Sequence, residues 1–360
     1  MSDSYAAAGV DIAEADAGVK ALVDVLRTID PGRPSASVLP SGHYANVLRV
    51  APNLGIAVGA DGVGTKVIVA EQTGRYDTVG IDCIAMNVND VICVGAEPLA
   101  VLDYLAVEQA DPDVLRDIAL GLKAGAELAG VEIPGGELAQ LPELVRGHPS
   151  PRGFDLTGAC FGTVALDAIV TGERIAPGDA LIGIPSSGVH SNGLTLARHA
   201  LLTQGGLGLD ERPAELGGAS VADVLLEPTI IYVRAVLELL RSAVPVHGLA
   251  HITGGGVLNL LRLGTGNGIG YEIDAPLPVT PVFELIARLG EVAPAEMQKV
   301  FFMGCGFVAT VPATHADGAI ALLDAHHPGC AQIGQVTADA GRVTLPSLGL
   351  AGDAHGIQPA

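Results

Sequence analysis

Asp61-Gly62-Val63-Gly64-Thr65-Lys66 follows the apolar run GIAVGA at 55–60. A carboxylate, two glycines, a hydroxyl and an ammonium at the end of a strand are groups that handle a phosphorylated ligand and a hard cation. Asp61 can ligate the cation, Gly62 and Gly64 let the backbone come close, Thr65 offers a hydroxyl and Lys66 a charge. The order Gly-Thr-Lys separates the segment from a P-loop, in which Gly-Lys is followed by Ser or Thr. A solvated turn would use the same Asp-Gly pair, and the hexapeptide alone leaves the two readings balanced.

Further along the chain, Asp82, Asn87, Asn89 and Asp90 punctuate a segment that is otherwise apolar nearly all round. Asn87 and Asp90 are three apart and share one side of a helix. Polar groups on such a helix need partners, and magnesium held by carboxylates is one solution. Gly135-Gly136-Glu137 places another carboxylate after a strand-like VEIP, where an ordinary turn is the stronger reading. Ser186-Ser187-Gly188-Val189-His190-Ser191-Asn192-Gly193 carries more hydroxyls and amides than one helix cap requires. His251-Ile252-Thr253-Gly254-Gly255-Gly256 leads into an apolar helix; successive glycines there cost backbone entropy, which close approach of a phosphate or carboxylate would justify.

Periodicity supplies the elements that must position these groups. It predicts helices over 16–29, 77–94 and 112–129, and strands over 55–60, 99–107 and 156–166, with a polar loop at 143–153. After the turn-rich stretch 171–179 it predicts strands over 180–184, 268–273, 301–311, 332–336 and 341–345. Helices are expected over 193–203, 221–241, 256–263, 281–290 and 315–325. Helices and strands intermix without βαβ alternation, which predicts an α+β fold. The expected division is a first domain at 1–170, a second at 171–345 and a tail at 346–360.

The 360 residues suit two domains. With 3% aromatic residues and no Trp, the cores must be built from Ala, Val, Leu and Ile. A formal net charge of -21 argues against nucleic acid or an anionic membrane as partner. An anionic ligand would therefore have to be met by a metal, a few basic side chains or backbone N–H groups. Cys83, Cys93, Cys160, Cys305 and Cys330 lack CxxC spacing, and the N-terminus lacks a basic region followed by an apolar one. Both point to a reducing, cytoplasmic setting.

In this order, SYAAAGVDI, DGVGTK, GIDCIAMNVNDVICVGAEPLAVLDYLA, GGELAQLP, SSGVHSNG, LLEPTIIYVRAVLELL and HITGGG resemble the phosphoribosylformylglycinamidine cyclo-ligase (aminoimidazole ribonucleotide synthetase) family over residues 4 to 310. The resemblance implies a homodimer whose first-domain strands build a shared barrel, with a C-terminal α/β sandwich domain. It also implies ATP and Mg2+ as cofactors and a small phosphorylated substrate. ATP would phosphorylate the formyl oxygen of formylglycinamidine ribonucleotide, after which the ribosyl nitrogen attacks that carbon, phosphate leaves and the imidazole closes. On this basis Asp61, Asp90 and Glu137 are expected to hold the metal. Gly62, Gly64, Thr65 and Lys66 are expected at the ATP phosphates, and Thr253, Gly254, Gly255 and Gly256 at the substrate phosphate or the transferred group. His190 and Asn192, with Lys66, are expected at the reacting centre.

The chain departs from the family at Pro40-Ser41-Gly42-His43-Tyr44-Ala45, at Leu138 and Gln140, and at Gly304-Cys305-Gly306-Phe307-Val308-Ala309. Two other readings stay open at this point. One is a divergent superfamily member that phosphorylates a different small acceptor; the other is a catalytically silent nucleotide-binding protein.

Overall fold

Alternation from Phe154 to Ala165 makes a long strand, β5, with Phe154, Leu156, Cys160 and Val164 buried and Asp155, Phe161 and Ala165 exposed. It is the centre of a sheet ordered β1-β2-β5-β3-β4, in which only the edge pair β3/β4 is parallel. The flanking strands are β1 (Asn46–Ala51), β2 (Leu54–Gly62), β3 (Glu97–Val107) and β4 (Gly136–Gln140). The computed structural model describes residues 12–40 and 42–360, so Ser41 and most of the SYAAAGVDI stretch lie outside the described residues.

One face of this sheet carries α3 (Val79–Cys93), which packs on β2, β3 and β5. Behind it lies α4 (Pro112–Ala129), capped by Asp111 and ended by Gly130 at φ 74°. The helices approach through glycines: a Cβ on Gly80 would fall inside the backbone of Gly121 and Leu122. The opposite face of the sheet carries exposed apolar side chains. Phe161 lies in register with Val58 and Ala100, Tyr104 with Thr157, and Leu48 with Ile56; Leu48, Leu102, Tyr104 and Phe161 are exposed. α1 (Ile12–Leu26) also turns Val19, Leu22, Val25 and Leu26 to solvent. The short α2 (Lys66–Thr73) starts directly on the DGVGTK segment.

The second sheet begins at β6 (Ala180–Pro185) and runs β13-β12-β11-β8-β10-β6-β9-β7. Its other members are β7 (Gly248–His251), β8 (Gly270–Glu272), β9 (Cys305–Val311), β10 (Ala331–Thr337), β11 (Val343–Leu345), β12 (Leu350–Asp353) and β13 (Gly356–Pro359). Its helices are α5 (Leu194–Arg198), α6 (Val221–Leu226), α7 (Val233–Arg241), α8 (Pro281–Leu289), α9 (Pro294–Val300) and α10 (Ala316–Asp324). Residues 346–360 are therefore not a tail: β12 pairs with β11, and β13 closes the sheet edge.

Three helices expected from periodicity change form. The run 221–241 splits into α6 and α7 across residues 227–232, where the backbone of Thr229, Ile230 and Tyr232 bonds to Asp82 and Asn89 of the first domain. The run 193–203 becomes α5 followed by a π-helical turn, His199–Gln204. The run 256–263 is a 3-10 helix, Gly256–Arg262, entered from Gly255 at φ 111°. Among the described residues no helix is long and apolar enough to cross a membrane.

Candidate active site

Helix α3 organises the junction between the two domains, and each of its polar side chains has a separate task. Asn87 donates to the Asp61 carbonyl and accepts from the Asp61 N–H, each at 3.0 Å, so it clamps the end of β2. Asn89 accepts from Tyr232 N–H and donates to the Ile230 carbonyl in the second domain. Asp82 accepts from the Thr229 N–H at 2.8 Å and its hydroxyl at 2.6 Å. Lys66 Nζ lies 2.9 and 2.8 Å from the two Asp82 oxygens and 2.6 Å from the Glu227 carbonyl. Asp90 Oδ1 accepts from His251 Nδ1 at 2.9 Å, across to β7.

The glycine-bearing loops meet beside this helix. Thr65 Oγ1 is 3.0 Å from Thr195 Oγ1, and a Cβ on Gly64 would lie 3.9 Å from the Ser191 carbonyl. Asn192 donates to Met86 Sδ, and its Oδ1 would lie 3.3 Å from a Cβ on Gly254. Burial pushes the Asp61 carboxyl up, and the neighbouring Asp90 charge pushes it the same way; the Gly62 N–H, His251 and Arg262 oppose this. The Asp90 charge thus reaches the Asp61 carboxyl.

Glu137 does not join them. Glu137, Tyr104, Thr157 and Gly62 form one row across the sheet, so Glu137 shares Gly62's face and Asp61, one residue earlier, takes the other. Among the described residues no three His, Cys, Asp or Glu side chains gather as a metal cluster.

Two further expectations meet a different geometry. Lys66 is fully buried and engaged by Asp82, so in this conformation it does not reach a phosphate in the cleft. His190 is also buried, at φ 56°, with Nε2 accepting from Ser187 N–H at 3.2 Å and facing Ile230 N–H at 3.5 Å. That use of Nε2 makes it a brace for the junction rather than a ring facing open space. Burial, then the nearby Lys66 and His251, hold its pKa well below the ordinary range. A depressed folded-state pKa gives stability that is present above the unfolded value of about 6.5 and lost as pH falls towards the folded one. Acid titration of the melting temperature should therefore show a loss beginning below about pH 6.5 that is smaller in His190→Asn. An identical acid limb in both proteins would exclude His190 as its source.

The triple glycine divides into two roles. Gly256, at φ 56°, packs so tightly that a Cβ would fall inside the Gln298 carbonyl oxygen. Gly254 and Gly255 have N–H groups that meet no acceptor among the described residues, while Asn259 accepts from Thr253 N–H at 2.8 Å and holds the loop open. Gly256→Ala should thus lower stability by more than about 1 kcal/mol, whereas Gly254→Ala, whose Cβ meets a single side-chain atom, Asn192 Oδ1 at 3.3 Å, should lower melting far less and raise the KM for the phosphorylated ligand. Equal melting losses in the two variants would remove the anion-binding role.

Sequence reasoning passed over Arg262 and Asn259. Arg262 lies over the Tyr44 ring, 5.0 Å from its centroid, and Tyr44 donates to the Asn259 carbonyl at 3.0 Å. Only the short distance of both residues from HITGGG could have marked them.

Residues 42–164 match the N-terminal domain of AIR synthase related proteins and residues 176–345 their C-terminal domain. The fold is that of this class. The hydrogenase maturation protein HypE, solved in complex with ATP, shares the fold with a TM-score of 0.58 and 21% identity, covering 87% of this chain and 86% of that one. Sequence resolves the class further. The phosphoribosylformylglycinamidine cyclo-ligase of Thermococcus gammatolerans is 46% identical over 344 residues, 94% of this chain and 96% of the relative. That of Pyrococcus horikoshii is 44% identical over 349 residues, 96% and 99% of the two chains. The chain belongs to the phosphoribosylformylglycinamidine cyclo-ligase family.

Proposed function

We propose that the chain is an ATP- and magnesium-dependent cyclo-ligase of purine biosynthesis that converts formylglycinamidine ribonucleotide to aminoimidazole ribonucleotide in the cytoplasm. The observation that carries this reading is the 46% identity to a cyclo-ligase along nearly the whole of both chains. The site fits the cofactors: the buried Asp61 carboxyl, under the Asp90 charge, would be relieved by a hard cation, whose remaining ligands would be water and phosphate oxygens. ATP supplies the phosphoryl group that turns the formyl oxygen into a leaving group, and magnesium neutralises its charge. The protein's part is positioning and electrostatics. The Gly254 and Gly255 N–H groups and the Thr253 hydroxyl bind phosphate oxygens, and the Gly62–Thr65 backbone lines the other side. Asn192 orients the reacting group from the second domain. His251 fixes the rotamer of Asp90.

The test is ADP release with formylglycinamidine ribonucleotide, run beside a panel of other small phosphorylated acceptors. Stoichiometric ADP and aminoimidazole ribonucleotide are expected. ADP release only with another acceptor, or ATP binding without substrate-dependent ADP, overturns the assignment.

The assembly we propose is a homodimer formed through the face of the first sheet opposite α3. Exposed Leu48, Leu102, Tyr104 and Phe161 on one face support it, since apolar patches of this kind mark protein interfaces. Light scattering should give twice the chain mass of 36.4 kDa, and Phe161→Asp should give the single mass. A wild-type monomer at micromolar concentration contradicts the proposal.

A further inference from the structure

Within the second domain, between its sheet and the helices α8 and α9, lies a cavity of about 310 Å³. Leu260, Phe283, Ala287, Met297, Phe302 and Met303 are among the side chains that line it. Ligand cavities run from roughly 300 to 1,000 Å³, and an apolar void of about 150 Å³ already admits benzene.

Three observations separate it from a simple packing gap. Gln298, only 8% exposed, lines the cavity, and its amide has no hydrogen-bond partner among the described residues. An amide that lines an apolar cavity and has no protein partner is available to an occupant with a donor or acceptor. The wall formed by α9 is flanked by Glu291 at φ 47° and Met303 at φ 46°, non-glycine residues in a strained backbone region. The same wall reaches the active-site loop: the Gln298 and Phe301 carbonyls pack on Gly256, and the Phe302 ring lies 4.8 Å from that of His190.

We propose that this cavity is an effector site for a small, uncharged, largely apolar molecule carrying one hydrogen-bonding group, which Gln298 anchors. An anion is excluded by the lining, and Glu284, exposed to solvent, gives a cation no buried partner. Glu284 is the charged residue there, and no basic side chain lines the cavity. An occupant supports α9, and through the Gln298 carbonyl it sets the position of Gly256. The site contains neither Asp61 nor Asp90, and the inference does not depend on the proposed reaction.

The experiment uses the full chain with 13C-methyl methionine and 15N-glycine, titrated with benzamide, toluene and benzoate. Met86, beside Asn192 in the inter-domain cleft, is the internal control. Benzamide should move the Met297 and Met303 methyl resonances saturably, with Met86 still, and should shift the Gly256 amide. Toluene should bind roughly three- to tenfold more weakly for want of the amide contact, and benzoate more weakly still. Ala287→Phe, which fills the cavity, should abolish the response. If that variant does not fold, Gln298→Met should erase the preference for benzamide over toluene. Response at Met86 alone, no saturable shift at Met297 or Met303, or equal affinity for the three probes overturns the site. Methyl shifts with an unmoved Gly256 amide overturn its role as an effector site.

Discussion

Replacing Asp61 or Asp90 by asparagine lowers turnover by on the order of 10²–10⁴-fold and leaves the fold intact. The change is nearly isosteric and removes the charge that a hard cation needs. Structure sharpens the stability side. The Asp61 carboxyl is raised by burial and then by Asp90, so its ionised form is a liability in the folded protein at neutral pH. Asp61→Asn mimics the protonated form and should melt at or above the wild-type temperature without metal. In Asp90→Asn the side-chain oxygen still accepts from His251 Nδ1, so the junction survives. Magnesium with nucleotide should raise the wild-type melting temperature, as any ligand of the native state does, and should fail to do so in either variant. Full turnover of both variants at limiting magnesium, or an undiminished magnesium-dependent melting shift, would rule out the metal site.

Lys66→Met should cost about 3–5 kcal/mol of stability, because it leaves the Asp82 charge buried with only Thr229 to serve it. Desolvation already holds the Lys66 pKa down, with Asp82 opposing, as expected for an ammonium fully out of water. Denaturant titration reads the loss directly. The double variant Lys66→Met with Asp82→Leu should recover part of it, since an apolar pair carries no stranded charge. A Lys66→Met protein that unfolds like wild type while its KM for ATP rises would show that the ammonium swings out to the phosphates.

The sequence marked these groups unevenly, for physical reasons. Most core strands of both domains and helix α4 follow from alternation or from capping and helical periodicity, which are local signals. Strands β1 and β4 do not: β4 is short, sits at an edge, and its pattern is that of a glycine turn. The break at Glu227–Tyr232 depends on Asp82 and Asn89, more than 130 residues upstream. Asp61 and Asp90 were visible as carboxylates in unusual surroundings, but Asp90's partner His251 was not. The opposite sides taken by Asp61 and Glu137 required the sheet register. Lys66 was legible as a special residue and not in its partner, because the carboxylate that claims it lies on another helix. Gly256 stood out as part of a glycine run, yet what demands it is the Gln298 carbonyl.

Helix α3 has an implication for recombination between relatives. The two family segments meet between residues 164 and 176, which invites a crossover there. Yet Asp82, Asn89 and Asp90 are completed by Thr229, Ile230, Tyr232 and His251 from the other side of that boundary. A chimera joined at the linker would inherit one half of each bond from either parent. Parents that differ at any of these positions would leave a polar group stranded in the interior. The exchangeable unit is thus not a sequence domain but α3 together with residues 227–232 and 251, and a library that respects that grouping can vary the rest of each half independently.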